Sequence, residues 1–478
     1  MQKSDLLQVF QTLTDEELRE AKKFLISPYF NKRDDVTRLF DFLCKMKKKE
    51  KADFAREKAY DFIFPKKTFD DAEMRYTMSY LLQLLYTFLS LKAWEANPIK
   101  QQLDLHKSLR MRNLEKSSER KSLEIWEQLE REPLRDRQHH FAKYEWHLER
   151  YAAIQKKRRT GEMHLSEMTE EFTAFYLSEA LRQGCLLVSH QNLSKQAYDL
   201  SFFEEILQWV HRRKMENTLA VAVYYHSYLS LTKAEEQSHF FELKKLLTNE
   251  WAAFPEAEMR DLYLIAINYC IKQQNRGEKV FVKEGFELYK SGLENKILLE
   301  NGILSVYTYK NVHLLADKLQ EYDWILIFLE KYKSFLPAEQ RENHYNFNVA
   351  QYFFRRKNYK KAMPLLQTIE FSDVLHNLDA RKMLLIMYYD LSEYDALEAL
   401  MESFKTYLQR QQDLGYHRES YLNLLKYTKQ LLLLPSMSKR EITQLQKEMT
   451  ACEKLAEKEW LMGKVNTNGI CYTTNFLK

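Results

Sequence analysis

Apolar residues recur at helical spacing in one segment after another of this chain. Ile325, Phe328 and Leu329, for example, fall three or four positions apart and would line one side of an α-helix. Short polar corners separate the stripes. The pattern predicts about twenty helices and no strand, and therefore an all-α protein.

Several predicted helices begin at a Ser or Thr that is followed three residues later by Glu. Thr14 with Glu17 and Ser438 with Glu441 both match this pattern, which is typical of a capping box. In such a box each side chain satisfies a backbone N–H of the first turn. These pairs therefore predict two helix starts.

Three segments between 306 and 411 align on a tyrosine at a corner. The segments are QEYDWILIFLEKYKSFLP, KNYKKAMPLLQTIE and SEYDALEALMESFKTYL, and they place Tyr322, Tyr359 and Tyr394 at spacings of 37 and 35 residues. An apolar helix precedes and follows each tyrosine, with Pro364 inside one of them. Each unit is thus predicted to be a helix pair that must stack on its neighbours to bury its apolar stripes.

The segment NVAQYFFRRKNYKKAMPLL resembles the core of a tetratricopeptide repeat. Ala350 stands where a small residue lets two helices approach, Tyr359 stands at the corner, and Ala362 lies in the second helix. The chain departs from that repeat at Asn346, where a large aromatic residue usually opens the first helix. The resemblance implies an α-solenoid of helical hairpins that binds a partner peptide or helix along the face lined by the first helices.

In some tetratricopeptide repeats this face holds a clamp for carboxylates. Lys310 and Asn348 occupy two of the clamp positions, but the other three hold Leu314, Asp379 and Met383, which do not donate to a carboxylate. A different groove is therefore expected. Its candidate partner-binding residues are Lys310, Asn348, Gln351, Arg355, Lys382 and Tyr389.

The predicted domain organisation separates a basic N-terminal region from the repeats. The predicted boundaries are 1–160 for a basic N-terminal helical domain, 161–300 for middle helical hairpins, 301–462 for the repeats and C-terminal helices, and 463–478 for a disordered tail. The segment LREAKKFLISPYFNKRDDVTRLFDFL also resembles the start of uncharacterised helical proteins of Bacteroidota. That likeness implies no activity.

Glycine is scarce, with nine in 478 residues and none between 306 and 411. The corners of the hairpins are therefore expected to be turned by Tyr, Asn, Ser and Glu. The phosphate-binding, dinucleotide-binding, zinc-protease and nucleophile-elbow motifs GxxxxGK[ST], GxGxxG, HExxH and GxSxG are also missing from the sequence. We therefore predict a protein that is not an enzyme and needs no cofactor, with an active site built from residues distant in sequence as an alternative.

The densest group of histidines lies in HHFAKYEWHLER. His140 and His147 fall two helical turns apart and could share a face with Tyr144, but the local sequence offers no further zinc ligands. We predict no metal site there.

The net charge of +5 is small, with 73 basic and 68 acidic residues. The basic excess lies in residues 1–160, where runs of basic residues occur at 45–49 and 156–159. Clustered cations of this kind favour phosphate contacts, so a nucleic-acid-associated protein acting through its N-terminal third remains an alternative.

The uncharged segment from Tyr76 to Leu91 is too short and too interrupted by polar residues for a membrane span, and it predicts a helix buried on most sides. Asp70 is expected to cap this helix, with Glu73 reaching back to the cap. The five cysteines are scattered and never spaced as CxxC, and no export signal is visible. These features predict reduced thiols, no membrane partner and a cytoplasmic location.

Overall fold

The fold is described from a computed structural model of the full chain. It describes all residues except 2, 50–52, 158, 159, 195, 368, 370–373, 412, 413 and 475–478. Helices dominate the described residues, and they pack into two compact units, Met1–Pro255 and Glu256–Lys478. The predicted all-α class is confirmed.

The first unit contains twelve α-helices among its described residues. They are α1 (Asp5–Thr12), α2 (Asp15–Ile26), α3 (Asp34–Lys47), α4 (Arg56–Ile63), α5 (Asp71–Glu95), α6 (Pro98–Met111), α7 (Glu115–Arg131), α8 (Arg137–Lys157), α9 (Leu165–Leu193), α10 (Ser201–Arg213), α11 (Leu219–Thr232) and α12 (Gln237–Asn249). Helices α1–α5 surround one apolar core that includes Phe10, Phe40 and Leu81. A smaller core joins α6, α7 and α8 through Leu103, Ile125 and Trp146.

The second unit contains eleven α-helices and one short hairpin of strands among its described residues. They are α13 (Glu256–Asn275), α14 (Val280–Glu294), β1 (Leu299–Glu300), β2 (Ile303–Leu304), α15 (Val306–Lys318), α16 (Tyr322–Lys333), α17 (Arg341–Arg355), α18 (Tyr359–Gln367), α19 (Val374–Asp390), α20 (Tyr394–Arg410), α21 (Tyr416–Leu432), α22 (Lys439–Ala451) and α23 (Lys458–Thr474). Pro364 lies inside α18, as predicted.

The strands β1 and β2 correct the expectation that the chain has no strand. They pair antiparallel around Asn301 and Gly302, whose φ angles are 51° and 76°. The type I′ form of a two-residue hairpin turn needs positive φ at both central positions, and Asn-Gly is a sequence that supplies it well. The predicted domain boundary between 300 and 301 falls inside this turn.

The other two predicted boundaries lie at the corner between α8 and α9 and within α23. Helices α8 and α9 pack against one another on either side of the corner at 155–168, within the unit Met1–Pro255. Helix α23 continues to Thr474, although the sequence predicts a disordered tail from Gly463. The last four residues of that tail lie outside the described residues.

The uncharged segment in α5 is buried on one side only. Met74, Leu81 and Leu85 are buried in the core, whereas Tyr76 and Tyr86 are exposed. The buried positions recur every three to four residues, so one side of α5 faces the core, although its exposed side carries few charges. The expectation of burial on most sides is corrected accordingly.

Both predicted capping boxes are confirmed. The Glu17 backbone N–H donates to Thr14 Oγ1 at 3.2 Å, and the Thr14 N–H donates to Glu17 Oε2 at 2.8 Å. Ser438 and Glu441 exchange the equivalent bonds at 3.3 and 2.7 Å.

The predicted cap at Asp70 is confirmed only for Asp70 itself. Its carboxylate accepts from the N–H groups of Ala72 and Glu73 at 2.8 and 3.2 Å. The Glu73 carboxylate does not reach back to the cap, because it accepts from the Tyr60 hydroxyl and from Lys67. A tertiary contact with α4 thus replaces the local bond that the sequence predicts.

The three aligned segments form three successive helix pairs, α15/α16, α17/α18 and α19/α20. In each pair the two helices pack together, and each pair also packs on the next. The first helices meet directly, α15 against α17 and α17 against α19. Small and apolar residues such as Ala350, Ala362 and Met387 are fully buried in the core that α17, α18 and α19 share.

The three corners that follow the first helices share one backbone geometry. In each corner a residue adopts the left-handed conformation, and the N–H of the next residue donates to the carbonyl five residues back, at 3.0, 2.9 and 2.9 Å. The left-handed residues are Gln320 (φ 62°), Lys357 (φ 56°) and Ser392 (φ 61°). Of the residue types expected to turn these corners, only Ser does so; Gln and Lys turn the other two.

This geometry predicts that glycine at a corner stabilises the protein. A side chain in the left-handed region costs about 1 kcal/mol relative to glycine, so Lys357→Gly is expected to raise the free energy of unfolding by up to about 1 kcal/mol. Lys405→Gly, inside α20, should lower it by a similar amount. Urea denaturation followed by circular dichroism measures both, and a destabilised Lys357→Gly would contradict the account.

Candidate partner-binding face

The six predicted partner-binding residues all lie on the first helices of the three pairs. Lys310 is on α15, Asn348, Gln351 and Arg355 are on α17, and Lys382 and Tyr389 are on α19. We refer to this side of α15, α17 and α19 as the first-helix face. The structure brings some of these residues together and places others in the interior.

Lys310 and Lys382 meet at a carboxylate that the sequence did not single out as a partner for them. Lys310 Nζ lies 3.0 Å from Asp379 Oδ2, and Lys382 Nζ lies 3.5 Å from Asp379 Oδ1. Lys382 Nζ also lies 2.9 Å from Glu457 Oε1, just before α23. The Tyr421 hydroxyl on α21 donates to Asp379 at 3.4 Å. A chain of alternating charges therefore crosses the first-helix face.

Neighbouring charges shift the pKa values of Asp379 and Lys382. Burial alone would raise the pKa of Asp379, but the two lysines outweigh it, and the pKa lies below its usual range. Burial opposes the charge of Lys382 in the same way, but Asp379 and Glu457 raise its pKa. Lys382 thus stays cationic, with two carboxylates of the protein beside it.

Arg355 and Tyr389 are also held by neighbours within the protein. Arg355 is exposed, and its guanidinium lies 3.1 Å from Asp317 Oδ2 on α15. Tyr389 packs edge-on against Trp460 with ring centres 5.4 Å apart, and burial raises its pKa to about 12. Gln351 is half-buried, and its Oε1 accepts no hydrogen bond within the described structure.

Asn348 lies in the interior instead of on the surface. Its side chain is fully buried, its Oδ1 lies 3.1 Å from His313 Nδ1, and its Nδ2 donates to the His344 carbonyl at 2.8 Å. A partner cannot reach this side chain in the structure. Asn348 therefore belongs to the packing of α15 on α17, and we leave it out of the first-helix face.

Sequence reasoning missed Asp379 and Glu457 as functional neighbours of the lysines. A signal for Asp379 was available, because it precedes Lys382 by three residues on one helix and such pairs face each other. No sequence signal linked Lys310 to Asp379, which are 69 residues apart. That contact depends on how three helices stack.

The basic runs in the N-terminal third are partly engaged within the protein. Lys47 Nζ donates to the Leu13 carbonyl at 2.7 Å, and Lys156 Nζ donates to Asn113 Oδ1 at 3.2 Å. Lys157 lies 2.9 Å from Glu119. Arg158 and Arg159 lie outside the described residues. The Glu119 carboxylate offsets the charge of Lys157, whereas the other two lysines are held by neutral groups and keep their full charge.

The histidine-rich segment does not bring His140 and His147 to a common partner. His140 Nδ1 lies 2.6 Å from a Glu171 carboxylate oxygen, whereas His147 is buried against Trp146. Among the described residues, one group could offer three ligand atoms to a metal ion, Glu162, His164 and Glu167, and both of its carboxylates are exposed. Exposed carboxylates of this kind are common without an ion, so we assign no metal to it.

The chain was compared with protein-family models, with curated proteins and with solved structures. No family model, curated protein or solved structure matches it. Within the described residues, no helix combines the length and apolar character needed to cross a bilayer. The function is therefore inferred from the residues and their geometry.

The charge chain predicts that Asp379 stabilises the second unit. Asp379→Asn leaves Lys310 and Lys382 facing each other without the carboxylate between them, and we expect the free energy of unfolding to fall by about 1–3 kcal/mol. Asp261→Asn on the exposed side of α13 removes the same charge and should change it by less than about 0.5 kcal/mol. Thermal unfolding of the two variants makes the comparison, and equal effects would contradict the role of Asp379.

Buried histidines predict a loss of stability in acid. Burial lowers the pKa of His313 to about 4, below the value of about 6.5 in an unfolded chain. The folded state thus binds fewer protons, so the stabilisation is complete above pH 6.5 and is lost as the pH falls from there towards 4. The pKa values of His106, His147 and His226 are lowered in the same direction.

The contribution of His313 to the pH dependence of stability can be tested with one substitution. It amounts to on the order of 3 kcal/mol between neutral pH and about pH 4, so His313→Asn should make the decline of the melting temperature below pH 6.5 shallower. The exposed His211 provides the control, since His211→Asn should leave the slope unchanged. The same slope in both variants and the original protein would be evidence against the assignment.

Proposed function

We propose that this chain is a non-enzymatic interaction module of the cytoplasm that binds a peptide or helix of a partner protein. The binding surface is the first-helix face, and the helix pairs from 306 to 411 act as a tetratricopeptide-like array. The observation that carries the proposal is the direct packing of α15 on α17 and of α17 on α19, together with the shared backbone geometry of the corner that follows each of these helices. A continuous row of first helices is the surface that such arrays offer to a peptide.

The charge chain on this face supports an acidic partner segment. Lys382 shares its charge between Asp379 and Glu457, and Glu457 is a half-exposed residue in a corner outside the helices. A carboxylate of a partner can take the place of Glu457 without unfolding a helix. Arg355 offers an exposed cation on α17.

Affinity purification of the full chain from its source cells, followed by mass spectrometry, tests this proposal. The variant Arg355→Ala/Lys382→Ala removes one arginine and one lysine from the first-helix face. The control variant Lys405→Ala/Arg410→Ala removes the same two residue types from the exposed side of α20. Both should keep the helical circular dichroism of the original protein.

The expected result is a partner that co-purifies with the original chain and the control but is reduced at least about tenfold with the face variant. High salt should weaken its binding because the contacts are between charges. A partner retained equally by both variants would place the interaction elsewhere on the chain.

A further inference from the structure

The first unit contains a cavity of about 830 Å³ between α6, α7, α8 and the beginning of α9. This volume falls in the range of small-molecule sites, which are typically about 300–1,000 Å³. The cavity is separate from the first-helix face, because all of its lining residues belong to the unit Met1–Pro255. The inference below therefore does not rest on the proposed partner binding.

Two indole rings form the apolar part of the cavity wall. The rings of Trp126 and Trp146 lie with their centres 4.5 Å apart, and the ring of His147 stands edge-on to Trp146 at 4.8 Å. Trp146 Nε1 donates to the Ser122 carbonyl at 2.8 Å, which fixes the orientation of that indole. Trp146 is buried and Trp126 is half-buried, so Trp126 contributes most of the exposed indole surface of the wall.

The charged residues of the lining are predominantly acidic. Four carboxylates, those of Glu119, Glu167, Glu170 and Glu171, face two cationic side chains, Arg150 and Lys157. Burial lowers the pKa values of the lining residues His106 and His147, so these imidazoles are neutral at neutral pH. The balance of the lining therefore favours a positively charged ligand.

Two of the four carboxylates are already paired with cations of the protein. Glu119 lies 2.9 Å from Lys157 Nζ, and Glu171 lies 2.6 Å from His140 Nδ1 and 3.8 Å from Lys143 Nζ. Glu167 lies 3.2 Å from the imidazole of His164, which also faces the exposed carboxylate of Glu162. Glu170 is exposed, and within the described structure it makes no hydrogen bond or ion pair. The open negative charge therefore lies at Glu167 and Glu170.

The indoles are not free to bind the charge of a ligand. Lys143 Nζ lies 5.1 Å from the centre of the Trp126 ring, and the Arg150 guanidinium lies 5.2 Å from that of Trp146. Because these cations already occupy positions over the rings, a ligand cation is better placed at the carboxylates. The apolar part of the wall around the half-buried Trp126 remains available for the apolar body of the same ligand.

We propose that this cavity binds a small organic ammonium compound with an aromatic or apolar body. The body packs against Trp126 and Trp146, and the ammonium group lies beside Glu167 and Glu170. The binding site is thus built from α7 and α8 on one side and the first two turns of α9 on the other.

Isothermal titration of the full chain with three probes of similar size tests the site. The probes are 2-phenylethylamine, 2-phenylethanol and 3-phenylpropionate, which carry a positive charge, no charge and a negative charge at neutral pH. The amine is expected to bind about tenfold or more tightly than the alcohol, and the propionate more weakly than either. Equal affinities for the three probes, or no amine binding up to about 10 mM, would overturn the proposal.

Two variants locate the charge within the site. Glu167→Gln/Glu170→Gln should weaken amine binding to the level of the alcohol and leave alcohol binding unchanged, whereas Glu204→Gln/Glu205→Gln on the exposed side of α10 should change neither. Ala153→Phe, which fills the cavity from α8, should abolish the binding of both probes. Circular dichroism verifies that each variant is folded. Amine binding that survives both the Gln pair and Ala153→Phe would show that the amine binds elsewhere.

Discussion

The packing of this protein depends on one constraint. The two helices of a pair cannot bury all of each other's apolar surface. An α-helix of this chain carries apolar residues over more than the strip that a single neighbour covers, so a pair leaves apolar surface exposed unless another pair packs on it. In the second unit Ala350, Ala362 and Met387 are fully buried because α17 and α18 are covered by α19. In the first unit the same need brings five helices around one core.

This constraint separates what local sequence can predict from what it cannot. The caps at Thr14 and Ser438 were predictable because all of their atoms belong to four consecutive residues. The Asn301–Gly302 turn was equally local, and its signal was present but was outweighed by the helical pattern around it. Glu73 escaped prediction because Tyr60, on another helix, competes for its carboxylate.

The candidate sites were less predictable than the fold, and the reason is the same. The sequence placed Lys310, Arg355 and Lys382 on the first helices and set Asp379 three residues before Lys382, but it could not reveal that Asp379 also reaches Lys310, or that Asp317 and Glu457 reach Arg355 and Lys382. The cavity in the first unit had no local signal, because four helices contribute to it. Its residues Trp126 and Glu170 acquire a shared role only when α7 and α9 meet.

The two candidate sites also differ in how their charges are balanced. On the first-helix face each cation already has a carboxylate of the protein beside it, so a partner must compete with an existing ion pair. In the cavity the open groups are carboxylates, and a cation can approach them without displacing another residue. Partner binding that replaces an ion pair on the first-helix face and ligand binding at the open carboxylates of the cavity should therefore differ in their dependence on salt.

The buried bond between Asn348 and His313 has a consequence for how the helix pairs choose their alignment. Apolar contacts are non-directional and therefore specify the alignment of α17 on α15 less sharply than a hydrogen bond does. A slide of α17 along α15 by one turn would separate Asn348 Oδ1 from His313 Nδ1 and leave two buried polar groups without partners. One polar pair inside an apolar interface thus selects a single register, in the way that a buried asparagine selects the register of a coiled coil.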